Sequence, residues 1–273
     1  MTPSFSKLPP EEYSNLSKDR GLGILTNEGA LYMGSTLNTT MHTAHAFKIY
    51  IAIEGEFDLL LDGSRRWESL KSVVIAPDRP HKVIGVTAIV AVFFLIPETV
   101  AGQRMSKYYC NQDVFTPAQH AVDILAPRLN EVWEHGCWED EASQITSAFC
   151  TNLFQTPSTN VKFDRRIAFA LEYLGAELDH RVTITELSSS VSLSPSRLEH
   201  LFREQVGISI SRYLLWIRLK KALEMMCLGT SLTEVAYAVG FADSAHLSRT
   251  FRRLIGLAPS TLLKNINLHL AGR

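Results

Sequence analysis

The C-terminal part of the chain repeats itself. Ile184-Thr-Glu-Leu187 recurs as Leu232-Thr-Glu-Val235, and Val191 as Val239, 48 residues further on. One extra residue in the following turn moves the offset to 49, and Leu198, Phe202, Arg203, Gly207, Ser211 and Leu214 then meet Leu247, Phe251, Arg252, Gly256, Ser260 and Leu263. Self-similarity at one fixed spacing marks a supersecondary unit present twice, and any fold for this chain must accommodate both copies.

Each copy reads as helix–turn–helix. In the first, Thr183 or Thr185 opens a helix with Ile184, Leu187 and Val191 inward, and Ser192-Leu193 makes the turn. Ser194 is the N-cap of the second helix and Pro195 stands at N1, where its missing N–H costs nothing. That helix runs to Gln205, and Gly207 supplies a left-handed stop. In the second copy Gly240-Phe241 turns, Asp243 caps, and the helix ends near Ile255 before Gly256 and Pro259. Two helices at a steep angle, the second one capped and exposed, match the unit that reads a DNA major groove.

A pair of packing repeats in an all-helical domain would show the same caps. The outer faces separate the two readings. Ser196, Arg197, Glu199, His200 and Arg203 point outward in the first unit. Ala245, His246, Ser248, Arg249, Arg252 and Arg253 do so in the second. Arg and His there can donate to guanine O6/N7 or to phosphates.

Net charge at first speaks against a polyanionic partner, because 27 Lys+Arg stand against 28 Asp+Glu. The balance is a cancellation. Residues 1–160 hold 12 basic and 18 acidic side chains, whereas residues 161–273 hold 15 and 10. A basic module joined to an acidic one is the charge distribution expected when one half faces nucleic acid.

The repeated residues resemble the AraC/XylS transcription regulators over about residues 163–265. The likeness rests on Leu193-Ser-Pro-Ser-Arg-Leu198, Leu201-Phe-Arg203, Gly207-Ile-Ser209, Arg218-Leu219, Ala222, Val235-Ala236, Val239-Gly-Phe241, Leu247-Ser-Arg-Thr-Phe-Arg252, Gly256 and Pro259-Ser260. The resemblance implies a linker helix, here Ile210–Leu228, joining the units. It also implies base reading from Ser196, Glu199, His200, Ala245 and Arg249, with His200 and Arg249 foremost. Ala245 leaves at most a thymine-methyl contact. Arg197, Arg203, Ser244, His246, Ser248, Arg252 and Arg253 are then expected on the DNA backbone. An activator of this family must also touch RNA polymerase.

The first half has a different period. Residues 1–20 read as a loosely held arm, without the basic and apolar regions of a secretory signal. From Gly21 to about residue 100, short apolar runs alternate with turns at Glu54-Gly-Glu56, Asp62-Gly-Ser64 and Pro77-Asp-Arg-Pro80. Val83–Ile96, 14 residues long, reads as buried strand because a membrane-spanning helix needs about 20 residues. Short strands at close spacing suggest a small β-sandwich or barrel. Residues 101–157 turn helical, with a kink or break at Pro127 and a second helix over Trp138–Phe154. These helices either form a dimer contact or cover the barrel. Linker composition at 155–160 precedes a helix capped by Asp164, with Ile167, Leu171 and Leu174 on one face.

His42, His45 and His81, with Glu54 and Glu56 near in sequence, invite a metal reading. The strand pattern is similar to the cupin barrel that many AraC-like regulators carry as a sensor. In metal-binding cupins an H-x-H pair, a Glu and a distant His converge. Here those positions fall on His42, Ala44, Lys48 and His81, and a lysine at a ligand position argues against a metal. His42, Lys48 and His81 are instead expected to anchor an anionic or hydroxylated small molecule.

The expected architecture is α+β. A cupin-like β-barrel at 21–100 carries accessory helices at 101–157, and an all-α DNA-binding domain at 161–273 holds helix–turn–helix units at 184–205 and 232–255. The expected function is a cytoplasmic, ligand-modulated DNA-binding regulator of promoter sites, with no catalytic residue, cofactor or metal. A metal-dependent cupin oxygenase or isomerase is the rival, with its ligand set broken at Ala44 and Lys48. A methyl-accepting repair protein is a weaker rival, because Cys110, Cys137, Cys150 and Cys227 lack an activating or zinc-binding setting.

Overall fold

The computed structural model describes residues 21–26, 28–35, 38–85, 88–108, 112–117, 119–135, 144–145, 163–176 and 183–270. The arm at 1–20, the linker at 155–160 and all of the expected helix over Trp138–Phe154 except Gln144 and Ile145 lie outside these residues.

Strands β1 (Gly21–Thr26), β2 (Gly29–Ser35), β3 (Phe47–Glu54), β4 (Phe57–Leu61), β5 (Glu68–Leu70), β6 (Ser72–Ile75), β7 (His81–Ile84) and β8 (Ile89–Leu95) build the N-terminal half. Helix α1 (Val100–Tyr108), strand β9 (Val114–Phe115) and helix α2 (Gln119–His135) follow. After α3 (Arg165–Ala176) come α4 (Ile184–Ser190), α5 (Pro195–Val206), α6 (Ile210–Cys227), α7 (Leu232–Ala238), α8 (Ser244–Ile255) and α9 (Pro259–Asn265), and β10 (Ile266–Leu270) ends the series.

The strands form two sheets, one ordered β10-β1-β2-β8-β3-β6-β9 and the other β5-β4-β7. The apolar run Val83–Ile96 does not form one strand. It breaks after Ile84, so β7 belongs to the small sheet and β8 to the centre of the large one. The break falls at Gly85, which has no side chain to hold either face. Strand β8 is covered on both faces, which explains its unbroken apolar sequence. Ala91, Phe93 and Leu95 join the cluster formed by Ala101, Met105, Ala121, Leu125, Leu129 and Val132 of α1 and α2. Helix α2 thus covers the sheet. It also runs through Pro127 without a break. Asp123, whose carbonyl loses its intrahelical partner there, is exposed and can turn to water, while Leu125 and Leu129 pin the helix on both sides.

The opposite face of the large sheet is also covered. Tyr50, Val73, Ile75, Val90 and Val92 share one core with Leu219 and Ala222 of α6 and with Val235, Phe241, Leu247, Phe251 and Leu254 of the second repeat. The first repeat has its own core of Ile167, Leu174, Leu187, Leu198, Phe202, Ile208 and Tyr213. Strand β10 then pairs in parallel with β1, from Gly21 opposite Ile266 to Leu25 opposite Leu270. The last strand of the N-terminal sheet therefore comes from the far end of the chain.

Candidate nucleic-acid interface

Both repeat units are set by local chemistry. Thr183 caps α4: its hydroxyl oxygen accepts from the Glu186 N–H at 3.2 Å, and the Glu186 carboxylate accepts from the Thr183 N–H at 3.0 Å. Ser231 and Glu234 repeat this capping box at α7. Each box satisfies two N-terminal donors and contributes about 1 kcal/mol. The turns correspond as well. Ser192 (φ 54°) and Gly240 (φ 78°) hold the left-handed conformation at equivalent positions. The next N–H in each unit closes the turn, Leu193 onto the Ser188 carbonyl and Phe241 onto the Ala236 carbonyl, at 2.9 and 2.8 Å. Ser194 and Asp243 cap the second helices, and Gly207 (φ 89°) and Gly256 (φ 88°) end them. The linker helix ends at Cys227, with Leu228 as its C-cap.

This geometry decides which side chains face out. Leu198, Leu201 and Phe202 are buried on α5, as are Leu247, Thr250, Phe251 and Leu254 on α8. Of the expected base readers, Ser196, His200, Ala245 and Arg249 are exposed, and Glu199 is half-buried. Arg203 reaches Glu199 at 3.5 Å, which joins an expected reader to an expected backbone contact. Arg197, Arg203, His246, Arg252 and Arg253 are exposed, and Ser244 and Ser248 are half-buried. The His246 ring sits edge-on to Phe241, centroids 5.1 Å apart, and so is braced by the turn of its own unit.

The three expected pocket residues lie together in the N-terminal half. His42 and His81 form an isolated bridge, their ring centroids 4.4 Å apart. His42 Nδ1 lies 2.8 Å from the Thr40 carbonyl, and His81 Nδ1 lies 2.8 Å from the Arg79 carbonyl. Both Nδ1 atoms therefore carry the proton, and both Nε2 lone pairs are acceptors. They converge on Lys48 Nζ, which is hydrogen-bonded to His42 Nε2 and lies 3.3 Å from His81 Nε2. The lysine amine stands where two imidazoles would otherwise hold a cation, and among the described residues no cluster of His, Cys, Asp and Glu is arranged for a metal. Lys48 is 1% exposed, and burial pushes its amine down to about 7. Burial, then the Lys48 charge, pushes His81 down to about 3 and His42 lower still.

Lys48 lines a cavity between the large sheet and α6. The walls come from both halves: Leu31, Tyr50, Val92 and Phe94 from the sheet, Trp216, Leu219 and Leu223 from α6, and Leu262, Ile266 and Leu268 from the C-terminal end. They are almost wholly apolar.

Histidine 45 has other partners than those its sequence neighbours suggest. Glu54 and Glu56 are exposed at the β3–β4 turn. The carboxylates that meet His45 are Asp78 and Glu98, each at 2.7 Å. Sequence reasoning also missed Arg212, on α6, which reaches Asp78 at 2.8 Å. No local pattern signals that pair, because 134 positions separate its members.

Comparison with known proteins finds likeness in the repeated C-terminal part first. Residues 187–265 match the family model described as a helix-turn-helix domain. The arabinose operon regulatory protein of Escherichia coli is 35% identical over 105 residues, 38% of this chain and 36% of that protein. The HTH-type transcriptional activator RhaS of Klebsiella pneumoniae is 27% identical over 187 residues, 67% of this chain and 64% of that protein. The chain thus spans about a third of the first relative and under two thirds of the second. Among solved structures, an apo form of ToxT from Vibrio cholerae superposes with a TM-score of 0.61 at 11% identity, covering 86% of this chain and 96% of that one. A second ToxT structure holds an unsaturated fatty acid, with a TM-score of 0.54 at 12% identity over 90% of this chain and 94% of that one. The shared fold is a β domain followed by paired helix–turn–helix units.

Proposed function

We propose that the chain, whose residues 187–265 match a helix-turn-helix domain, is an AraC/XylS-type regulator: a cytoplasmic, sequence-specific DNA-binding activator controlled by a small molecule. The observation that carries the reading is the pair of equivalently capped helices α5 and α8, each exposing polar and basic side chains over a buried apolar face. Ser196, Glu199, His200, Ala245 and Arg249 read bases. Arg197, Arg203, Ser244, His246, Ser248, Arg252 and Arg253 grip the backbone. Two units on one chain enter successive major grooves about 34 Å apart, so a monomer covers an asymmetric site. RNA polymerase is the further partner that activation requires.

The effector occupies the cavity between the sheet and α6. Its apolar walls call for an apolar body, and Lys48, held by His42 and His81, supplies one polar anchor for an anionic head. A fatty acid bound to a protein of the same fold supports this class of ligand. A cavity walled by both halves can change how they pack, and a ligand with unequal affinity for two packings shifts DNA binding.

Selection from a random duplex library tests the function. The expected result is two conserved blocks about one helical turn apart, bound with an affinity that falls steeply with salt. Equal binding to selected and random duplexes would refute sequence-specific regulation.

A further inference from the structure

A short strap of the N-terminal half, residues 38–46, lies between the lysine cluster and the end of α8. Its bonds alternate in direction. Thr39 and His42 bond to β7: the Thr39 N–H donates to the Val83 carbonyl, and His42 and His81 exchange both backbone bonds, all at 3.0 Å. Thr40 and Thr43 bond the other way. The Thr40 N–H donates to the Gly256 carbonyl at 3.0 Å and the Thr43 N–H to the Arg253 carbonyl at 3.1 Å. The Thr40 hydroxyl adds a second bond to Gly256 at 3.2 Å. The last carbonyls of a helix have no partner within it, and at α8 the strap supplies them.

The His42 side chain closes the connection. Its Nδ1–H holds the carbonyl of Thr40, the residue bound to Gly256, while its Nε2 accepts from Lys48. The ring also rests directly on the helix end: a Cβ at Gly256 would fall 2.7 Å from His42 Nδ1 and 2.8 Å from Thr39 Cβ. One imidazole thus touches the cavity amine on one side and the C-cap of the second DNA-facing helix on the other.

We propose that His42 is the positioning residue through which occupancy of the cavity changes DNA binding by α8. This rests on the reading of the cavity as the effector site. A head group that engages Lys48 draws the amine from His42 Nε2. The imidazole is then free to turn, its hold on the Thr40 carbonyl loosens, and the three strap bonds at the end of α8 shift with it. Among the described residues the strap makes no backbone hydrogen bond to α4 or α5, so the effect falls first on α8.

Four full-length proteins test this: wild type, His42→Phe, Lys48→Met and the double variant. The probes are a duplex selected by the wild type and oleic acid at concentrations that saturate the thermal shift of each protein. In the wild type, oleate changes the dissociation constant for the duplex by tenfold or more, and in His42→Phe the change falls below twofold. Without oleate, Lys48→Met alters DNA affinity when His42 is present and adds nothing when it is absent. An undiminished oleate effect in His42→Phe overturns the proposal, and so do multiplicative effects in the double variant. If oleate neither binds nor shifts the wild type, the anionic effector reading fails, and the ligand-free comparison still decides the role of His42. Should His42→Phe not fold, His42→Gln takes its place in the same measurements.

Discussion

Asp78 Oδ2 lies 2.7 Å from Nδ1 of His45, with Glu98 Oε1 2.7 Å from Nε2 of the same ring. A neutral imidazole has one donor and one acceptor, so only the imidazolium satisfies two carboxylates. Burial opposes that charge, but Asp78 and Glu98 outweigh it and push His45 up to about 9. Tyr213 and Trp216 of α6 stand edge-on to the ring at 6.5 Å, and Arg212 reaches Asp78 from the same helix. The cluster fastens the N-terminal half to the helix joining both DNA-facing units.

His45→Gln should therefore destabilise the protein in a pH-dependent way. A histidine whose folded value exceeds its unfolded value of about 6.5 contributes fully below that pH, and the contribution is lost as pH rises through about 9. A shift of this size corresponds to about 3 kcal/mol at most. Urea unfolding at pH 6, 7.5 and 9.5 should show the gap between wild type and variant narrowing with pH. A gap that stays constant would mean that His45 is neutral in the folded protein.

The two turns make an internal control for backbone strain. Ser192 adopts φ 54° where the second unit has Gly240 at φ 78°. A left-handed non-glycine residue costs about 1–2 kcal/mol, partly offset by the greater freedom glycine has when unfolded. Ser192→Gly should accordingly stabilise by about 0.5–1 kcal/mol. Gly240→Ala should destabilise by at least about 1 kcal/mol, and its Cβ would also press to 3.2 Å on the Arg218 guanidinium. Thermal melts of both variants decide; shifts of the same sign would refute the strain argument.

These turns are legible in the sequence because they are local. Ser194-Pro195, Asp243, Gly207 and Gly256 each act within one turn of chain, and the repeat states every signal twice. The sheets are less legible. An apolar run such as Val83–Ile96 reveals burial but not that its two parts enter different sheets. Strand β10 is legible only through its partner β1, more than 240 positions away. Lys48 stands out in the sequence as a departure from a metal-ligand pattern, and the structure adds that its amine takes the central position between His42 and His81. The carboxylates of His45 cannot be found by proximity along the chain, since Asp78 and Glu98 arrive from separate loops.

Arg249 and Arg252 stand one helical turn apart on α8, and both are exposed. If Arg249 reads a base edge, Arg249→Ala should cost about 1–3 kcal/mol on the selected duplex and relax preference at one or two base pairs. Arg252→Ala should weaken selected and random duplexes alike and lower the salt slope by about one. Competition binding at two salt concentrations separates these outcomes. The division of roles fails if both variants lose affinity equally on every sequence.

Protonation of Lys48 should follow occupancy of the cavity. The unfolded amine titrates near 10.4, whereas burial holds the folded one at about 7. Between those values the unfolded chain binds the extra proton, so this group makes stability rise with pH across that window. A carboxylate placed against Nζ favours the ammonium and reverses the shift. At pH 8–9 most of the ligand-free protein carries a neutral Lys48, and binding of oleate should then take up close to one proton. Calorimetric titration in buffers of different ionisation enthalpy measures that number directly. Uptake should vanish in Lys48→Met and shrink below pH 6, where the amine is already charged. Binding without proton uptake at pH 8.5 would show that the head group does not engage Lys48.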